Sequence, residues 1–299
     1  MDASTTDSDV EMHSGDYLKA WLKIPPHHAG SNLSKALDPE GYVQAYWKDQ
    51  TRPDGRMFVQ ARATKVASSL LKHSAGSAFI KQGDTKVLSA MTVQIGQPAP
   101  DLPDHGDVVV TVTTPDQASL HFDVLQSWLQ RMLDDLLPPQ LTLITGKACI
   151  RLVVTVLILQ DDGNLRDAAL LACMAAWKDT KLPTMDHLTE HQGKLWWKES
   201  PITSLDSTPQ PSDDNENSKS EYRISLSMGV LEQDGKTIFL VDPSAEEAPY
   251  TNGMLTFIVT LPNRSLQLEY AGSMALTATE LALASKMAGG RADELSKLL

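Results

Sequence analysis

The spacing of apolar and polar residues changes several times along the chain. Asp16 to Ile24 has the composition of a short helix, broken by 25-PPHHAGSN-32. Next, 38-DPEGYVQAYWKDQ-50 sets Tyr42, Ala45 and Tyr46 on one helical face. Asp38 suits the cap and Pro39 the first turn, where a missing N–H costs nothing. From Gln60 the rhythm is that of strands. The segment 60-QARATKVASS-69 reads as one, and 77-SAFIKQ-82 with 86-KVLSAMTVQI-95 reads as a hairpin across 83-GDT-85. A strand at 107-DVVVTVTT-114 precedes a long helix at 118-ASLHFDVLQSWLQRMLDDLL-137. Its predicted buried face holds Leu120, Val124, Leu125, Trp128 and Met132, and Pro138-Pro139 ends it.

The second half uses the same vocabulary. A strand at 148-ACIRLVVTVLILQ-160 and a turn at 161-DDGN-164 lead into a helix at 165-LRDAALLACMAAWKD-179. Two hairpins follow, 222-YRISLSMGVL-231 with 236-KTIFLV-241, then 254-MLTFIVTLP-262 with 265-SLQLEYAG-272. A last helix spans Thr277 to Leu298, with a break expected at Gly289-Gly290. The pattern predicts an α+β fold of hairpin-rich sheets with packed helices.

Charge divides the chain further. Of the formal −12 over 299 residues, net −5 lies in residues 1–18 and net −5 in residues 199–221, leaving −2 for the rest. A nearly neutral body excludes a protein that binds nucleic acid by bulk charge. The segment 199-ESPITSLDSTPQPSDDNENSKSE-221 holds too few apolar residues to order itself and reads as a flexible inserted loop. Residues 1–36 read as an acidic, partly disordered extension, and 37–299 as the folded domain. The acidic N-terminus is unlike a signal peptide, and the longest apolar run, Leu152 to Leu159, is too short to span a bilayer. Together they predict an intracellular soluble protein. Cys149 and Cys173 sit in apolar runs and read as buried free thiols.

Several motifs carry candidate chemistry. The string 187-HLTEH-191 matches an inverted zinc-protease pattern, but Pro183 and Gly193 flank it, and a surface loop is the better reading. The run 144-ITGKA-148 lacks the glycine and the hydroxyl of a phosphate loop. Trp196-Trp197 has the composition of an RNA-stacking pair, yet neighbours on a strand face opposite ways, which favours one in the core and one at an interface. No metal site and no cofactor are expected.

The hexamer 51-TRPDGR-56 is the most distinctive stretch. With 76-GSA-78 and 83-GDT-85 behind it, in that order and spacing, the chain resembles the RNase PH family of phosphorolytic exoribonucleases. The match runs from Leu37 to Leu299. The segments 37-LDPEGYVQAYWKDQTRPDGR-56, 161-DDGNLRDAALLA-172 and 240-LVDPSAEEAPYTNGMLTFIV-259 are most similar to the family's non-catalytic ring subunits in the eukaryotic RNA exosome. The resemblance implies an RNase PH-like fold of two βαβ-like halves and a place in a hexameric ring of such subunits under RNA-binding cap subunits. It also implies RNA threaded through the ring to a nuclease elsewhere, no membrane, and a location in nucleus, nucleolus and cytoplasm.

Phosphorolysis needs a cradle for inorganic phosphate and a carboxylate near the leaving oxygen. The family's cradle resembles Gly-Gly-Thr-Arg at the turn opening a helix, where the dipole favours an anion. Here the run is Gly163-Asn164-Leu165-Arg166, with leucine for the threonine and Asp161, Asp162 and Asp167 around one arginine. A carboxylate roughly 5 Å from a phosphate costs about 3 kcal/mol at an effective dielectric of about 20. The position of the family's catalytic acid falls on Met254. The loop 113-TTPDQASLH-121 lacks the arginine with which family members grip RNA. No catalytic residue is therefore assigned. Arg52, Arg56 and Arg166 remain candidates to face RNA or phosphate, against a purely structural role for the first two. The alternative reading is an active phosphate-dependent 3′→5′ exoribonuclease. A free-standing RNA-binding protein is a third, disfavoured by the neutral body.

Overall fold

The computed structural model describes residues 35–98, 103–115, 122–136, 141–144, 146–183, 188–191, 194–197, 202–204, 221–233 and 235–299. The chain divides into two compact units, 1–58 and 59–299. Of the expected extension 1–36, all but Lys35 and Ala36 lies outside the described residues, as does the short helix expected at 16–24.

In the first unit, helix α1 (Pro39–Lys48) starts as its sequence demands: the Asp38 carboxylate accepts from Gly41 N at 2.9 Å, with Pro39 next to it. The buried residues are Val43 and Trp47 rather than the predicted stripe. Ala45 is exposed, and Tyr42 and Tyr46 pack edge to face, 5.1 Å between centroids.

The second unit is built on two sheets. The first contains β1 (Thr64–Ser68), β2 (Gly76–Gln82), β3 (Thr85–Gly96), β4 (Asp107–Thr113), β5 (Thr142–Ile144) and β6 (Ala148–Gln160), ordered β1-β2-β3-β6-β4 with β5 also on β6. Strands β4 and β6 are parallel, and the crossover between them carries helix α2 (Asp123–Asp134). The β2–β3 turn is Gly83-Asp84, with Gly83 at φ +58° and Thr85 already paired to Gln82. Helix α3 (Leu165–Asp179) leaves β6, and every residue from Asp167 to Trp177 is buried. It packs on β2 and β3 on one side and on the second sheet on the other. A helix apolar all round belongs in such a position.

Short strands β7 (Lys181–Pro183), β8 (Leu188–His191), β9 (Lys194–Trp197) and β10 (Ile202–Ser204) follow. Strands β7 and β10 pair, so Ile202–Ser204 is structured, although it falls in the segment read as a flexible insert. The backbone ladder to Lys181–Pro183 supplies the order that local composition does not. The rest of 199–221, apart from Glu221, lies outside the described residues. The second sheet is antiparallel throughout, β12-β11-β13-β14, from β11 (Tyr222–Gln233), β12 (Lys236–Val241), β13 (Gly253–Leu261) and β14 (Ser265–Gly272).

Helix α4 (Ala278–Ser296) closes the chain with a capping box, Thr277 and Glu280 bonding each other's backbone N–H. It runs unbroken through Gly289-Gly290, where a break was expected. Ala284, Ala288, Ala292 and Leu295 are buried at helical spacing, and that packing outweighs the low propensity of two glycines. In α2 the buried face is Leu125, Trp128, Leu129, Met132 and Leu133, while Val124 is exposed, against expectation. Leu120 lies outside the described residues. Cys149 and Cys173 are both buried and free, and burial pushes the Cys173 thiol up to about 12. Among the described residues no helix is long and apolar enough to cross a membrane.

Candidate functional site

The loop 161–164 delivers the chain from β6 to the head of α3. Gly163 (φ +85°) and Asn164 (φ +53°) both take left-handed backbone. A Cβ on Gly163 would stand 2.3 Å from Ala245 N, so the glycine is required by its neighbour as well as by its conformation. Ala245 N in turn donates to Asp162 O at 3.0 Å, tying this loop to the one after β12.

At the start of α3, where an anion would be welcome, the chain supplies its own carboxylate. Asp167 is buried and accepts from Ser227 N at 2.6 Å, Ser227 Oγ at 3.0 Å and Asn164 Nδ2 at 2.9 Å. Ser227 Oγ also lies 3.0 Å from Thr256 Oγ1. Burial pushes the Asp167 carboxyl above its usual range despite these bonds.

A second carboxylate stands beside it. Asp242 (φ +52°) is buried and accepts from Arg62 N at 2.8 Å, Arg62 Nε at 2.9 Å and Arg62 Nη2 at 2.7 Å. Gln82 Nε2 and Asn164 Nδ2 each add a bond of 2.8 Å. Arg62 also donates through Nη1 to Asp162 O at 2.7 Å and Asp162 Oδ2 at 3.1 Å, and through Nη2 to Gly163 O at 2.9 Å. Its aliphatic stem lies over Gly83, where a Cβ would come within 2.5 Å of Cδ. Burial opposes charge on Asp242, but the bonds from Arg62 outweigh it and hold the carboxyl below its usual range. The same pairing raises the Arg62 guanidinium against its own burial. Asp162 goes the other way, raised by burial more than Arg62 lowers it.

These contacts correct the expectation that three acids surround Arg166. The base facing Asp162 is Arg62, and Asp161 Oδ1 accepts from Gly163 N at 2.9 Å. Arg166 instead lies with Cζ 5.6 Å from the Trp128 ring centroid and Nη1 3.8 Å from Glu269 Oε2. Glu269 Oε1 also takes a 2.5 Å bond from Arg131 Nη2, and Trp128 Nε1 reaches the two carboxylate oxygens at 3.3 and 3.1 Å. Met254 sits on β13 opposite Gly229 and Ala271, half-buried. Glu247, near that strand's start, turns back to Ser244, accepting from N at 2.9 Å and Oγ at 3.0 Å.

The arginines of RPDGR lie in the other unit and are described by themselves. Gly55 (φ +81°) turns the chain, Gly55 N donates to Arg52 O at 2.9 Å and Arg52 N to Arg56 O at 3.1 Å. Arg56 Nε donates to Asp54 Oδ2 at 2.6 Å. Burial works against the Asp54 charge, yet the Arg56 backbone and side chain hold the carboxyl below its usual range. Arg52 is fully buried, which favours its structural role over an RNA-facing one. Within 187-HLTEH-191, where a surface loop was expected, Leu188–His191 is a strand paired with Lys194–Trp197, and His187 lies outside the described residues. Among the described residues no group of three His, Cys, Asp or Glu side chains stands close enough to hold a metal ion.

Arg62, Arg131 and Glu269 were missed by sequence reasoning. For Arg62 the available signal was a charged residue in the alternating run 60-QARATKVASS-69, where it points inward. For Glu269 and Arg131, 138 residues apart, the sequence offered none.

A mixed sheet and an antiparallel sheet around a buried α3, with a glycine turn at its head, define an RNase PH-type protein. Residues 60–183 match the model of domain 1 of the 3′ exoribonuclease family, RNase PH. The chain is similar to the exosome complex component Rrp42 of Pyrobaculum aerophilum, 32% identical over 221 residues, covering 69% of this chain and 73% of that one. The Rrp42 of Thermococcus gammatolerans is 28% identical over 265 residues, covering 84% and 90%. A chain of the solved Archaeoglobus fulgidus exosome with RNA bound to the active site superposes with a TM-score of 0.65 at 26% identity, covering 87% of this chain and 96% of that one. This chain belongs to the RNase PH family.

Proposed function

We propose that the chain is a catalytically silent, structural subunit of an RNA exosome core ring, of the type called ribosomal RNA-processing protein 43. It joins other RNase PH-like subunits in a hexameric ring beneath RNA-binding cap subunits. The ring threads RNA 3′ ends to a nuclease elsewhere in the assembly, for maturation of ribosomal RNA and turnover in nucleus, nucleolus and cytoplasm. Similarity to archaeal exosome components over 84% and 87% of the chain supports the ring role.

One observation carries the silence: two buried carboxylates, Asp167 and Asp242, stand at the head of α3 and share Asn164 Nδ2. Arg62 already neutralises Asp242, so the like charge that phosphate would meet there is that of Asp167, a buried carboxylate. The side chain at 254 is a thioether, which neither transfers a proton at neutral pH nor holds magnesium. What remains useful is the scaffold, in which α2 glutamines cover the outer edge of β4 while the second sheet ends at β14.

Two measurements test this reading. Native mass spectrometry of the complex captured with the chain is expected to show other RNase PH-like subunits; a chain that stays monomeric in their presence overturns the ring role. Incubation of the chain with labelled RNA, inorganic phosphate and Mg²⁺ is expected to leave the RNA intact. Release of nucleoside diphosphates overturns the silence.

A further inference from the structure

Strand β1 ends the first sheet on the side away from β4. The inward side chains of β2 and β3, Ile80 and Val87 among them, are buried where α3 packs, and their neighbours in sequence face the other way. On that outer face Lys65 stands directly opposite Lys81, and Lys81 directly opposite Lys86. Like charges set opposite each other in a sheet destabilise it. Lys65 is exposed, and Lys81 and Lys86 are half-buried. Lys86 Nζ donates to the neutral Gln160 Oε1 at 2.8 Å, and none of the three lysines forms an ion pair among the described residues. A lysine on an edge strand guards it against unwanted pairing. Lys81 and Lys86 lie on inner strands, where no edge needs guarding, so the row is left in want of an acid. The next row is apolar, with Ala67, Phe79, Leu88 and Leu157 paired in turn.

The backbone of the edge is open as well. Gly83 N donates to Ala63 O at 3.1 Å and Ser69 N to Ser77 O at 2.9 Å. By the alternation of an antiparallel pair, the N–H and C=O groups of Val66 and Ser68 then point outward. Neither residue has a backbone partner there among the described residues. Arg291 reaches only the start of the strand, donating to Arg62 O at 3.2 Å and Thr64 Oγ1 at 2.9 Å.

We propose that the β1 edge docks an acidic, extended segment of a partner protein, which joins the first sheet as an added strand. That segment carries an acid opposite Lys65 and an apolar residue opposite Ala67, two positions along. The backbone ladder holds it, and the lysine row selects its charge. An open peptide edge beside an apolar row suits a polypeptide rather than a polynucleotide. A second copy of this chain pairing β1 with β1 would set two lysine rows on one face, which like charge opposes. The inference goes beyond the ring role and does not rest on it, since a chain that joins no ring still presents this edge.

The experiment uses the full chain and two labelled synthetic nonapeptides, read by fluorescence anisotropy at low ionic strength, because exposed charges are screened by salt. Both have valine third and seventh and threonine elsewhere, and they differ only in the fifth residue, glutamate or lysine. The glutamate peptide is expected to bind about tenfold tighter, the scale of one favourable against one unfavourable cross-strand charge pair. Lys65→Glu/Lys81→Glu is expected to reverse the preference. Lys65→Gln/Lys81→Gln, expected to erase it, serves if the first variant fails to fold. Methylating the fourth and sixth backbone nitrogens of the glutamate peptide is expected to abolish binding, which charge attraction alone would not require. Equal affinity for the two peptides, undiminished binding of the methylated one, or a preference that survives both double variants overturns the proposal. Lysine-dependent binding of a labelled oligoribonucleotide tighter than that of the glutamate peptide assigns the row to nucleic acid and overturns it too. So does dimerisation in sedimentation that the lysine variants strengthen, which assigns the edge to a second copy. Amide replacement of the five acids in residues 1–18 that by itself raises peptide affinity assigns the row to the chain's own tail and likewise overturns a partner.

Discussion

Arg62 is the residue on which the corner at the head of α3 depends. It satisfies Asp242, Asp162 and the carbonyl of Gly163 at once, all largely out of water. Removing one partner of a buried, hydrogen-bonded pair leaves the other charge uncompensated, at about 3–5 kcal/mol. Arg62→Met is therefore expected to lose that much stability in chemical denaturation, measured on the midpoint at constant slope. Asp242 gives a pH signature as well. Its folded-state carboxyl lies below the unfolded value of about 3.9, so its stabilisation is present above that value and is lost as pH falls through the lower, folded one. Asp167 has the opposite sign: raised by burial, it lowers stability as pH rises from the unfolded value through the folded one. Asp242→Asn is expected to flatten the acid limb of the stability–pH profile, and Asp167→Asn to remove the decline above it. Asp167 and Asp242 were legible as acids at a helix start and in a turn, but their partners were not, since Arg62 and Asp242 lie 180 residues apart. The turn 52-RPDGR-56 was legible, because Gly55, Asp54 and Arg56 interact within the pentapeptide.

At the scale of elements, local signals succeeded where burial agreed with them. The Asp38 cap and the β2–β3 hairpin both declare themselves in neighbouring residues. Helix α3 was visible as a helix, but the sequence did not say that two sheets would enclose it. The predicted face of α2 failed at Val124, because hydrophobicity marks a stripe while the strand packed beneath decides its centre. The unbroken α4 is the clearest case of packing overruling propensity. Both glycines face open space, with nothing within 4 Å of the place a methyl group would take. Gly289→Ala and Gly290→Ala are accordingly expected to stabilise the protein by about 0.5–1 kcal/mol each, read from thermal or denaturant unfolding. A neutral or negative result would mean that the chain needs the glycines for a contact made outside it.

In the second unit, the outer strand β14 of the β12-β11-β13-β14 sheet carries two exposed leucines two residues apart. Leu266 and Leu268 stand on one face of β14, 47% and 46% exposed. An edge strand with exposed leucines invites pairing unless something covers it. The proposed ring makes a neighbouring subunit the expected cover. Leu266→Lys with Leu268→Lys is expected to weaken assembly with other ring subunits at least about tenfold, seen by native mass spectrometry, and to leave the melting temperature of the isolated chain unchanged.

The contact between Gly163 and the backbone at Ser244–Ala245 rivets two loops into one corner. That corner bears on the proposed silence of the subunit. Writing an aspartate in at position 254 would return an acid to β13 but leave Leu165 in place of a hydroxyl and Asp167 and Asp242 buried at the head of α3. Met254→Asp by itself is expected to yield no phosphate-dependent RNA cleavage. A gain of cleavage would need the hydroxyl at 165 and the acid at 254 in the same molecule, so neither substitution alone is rewarded.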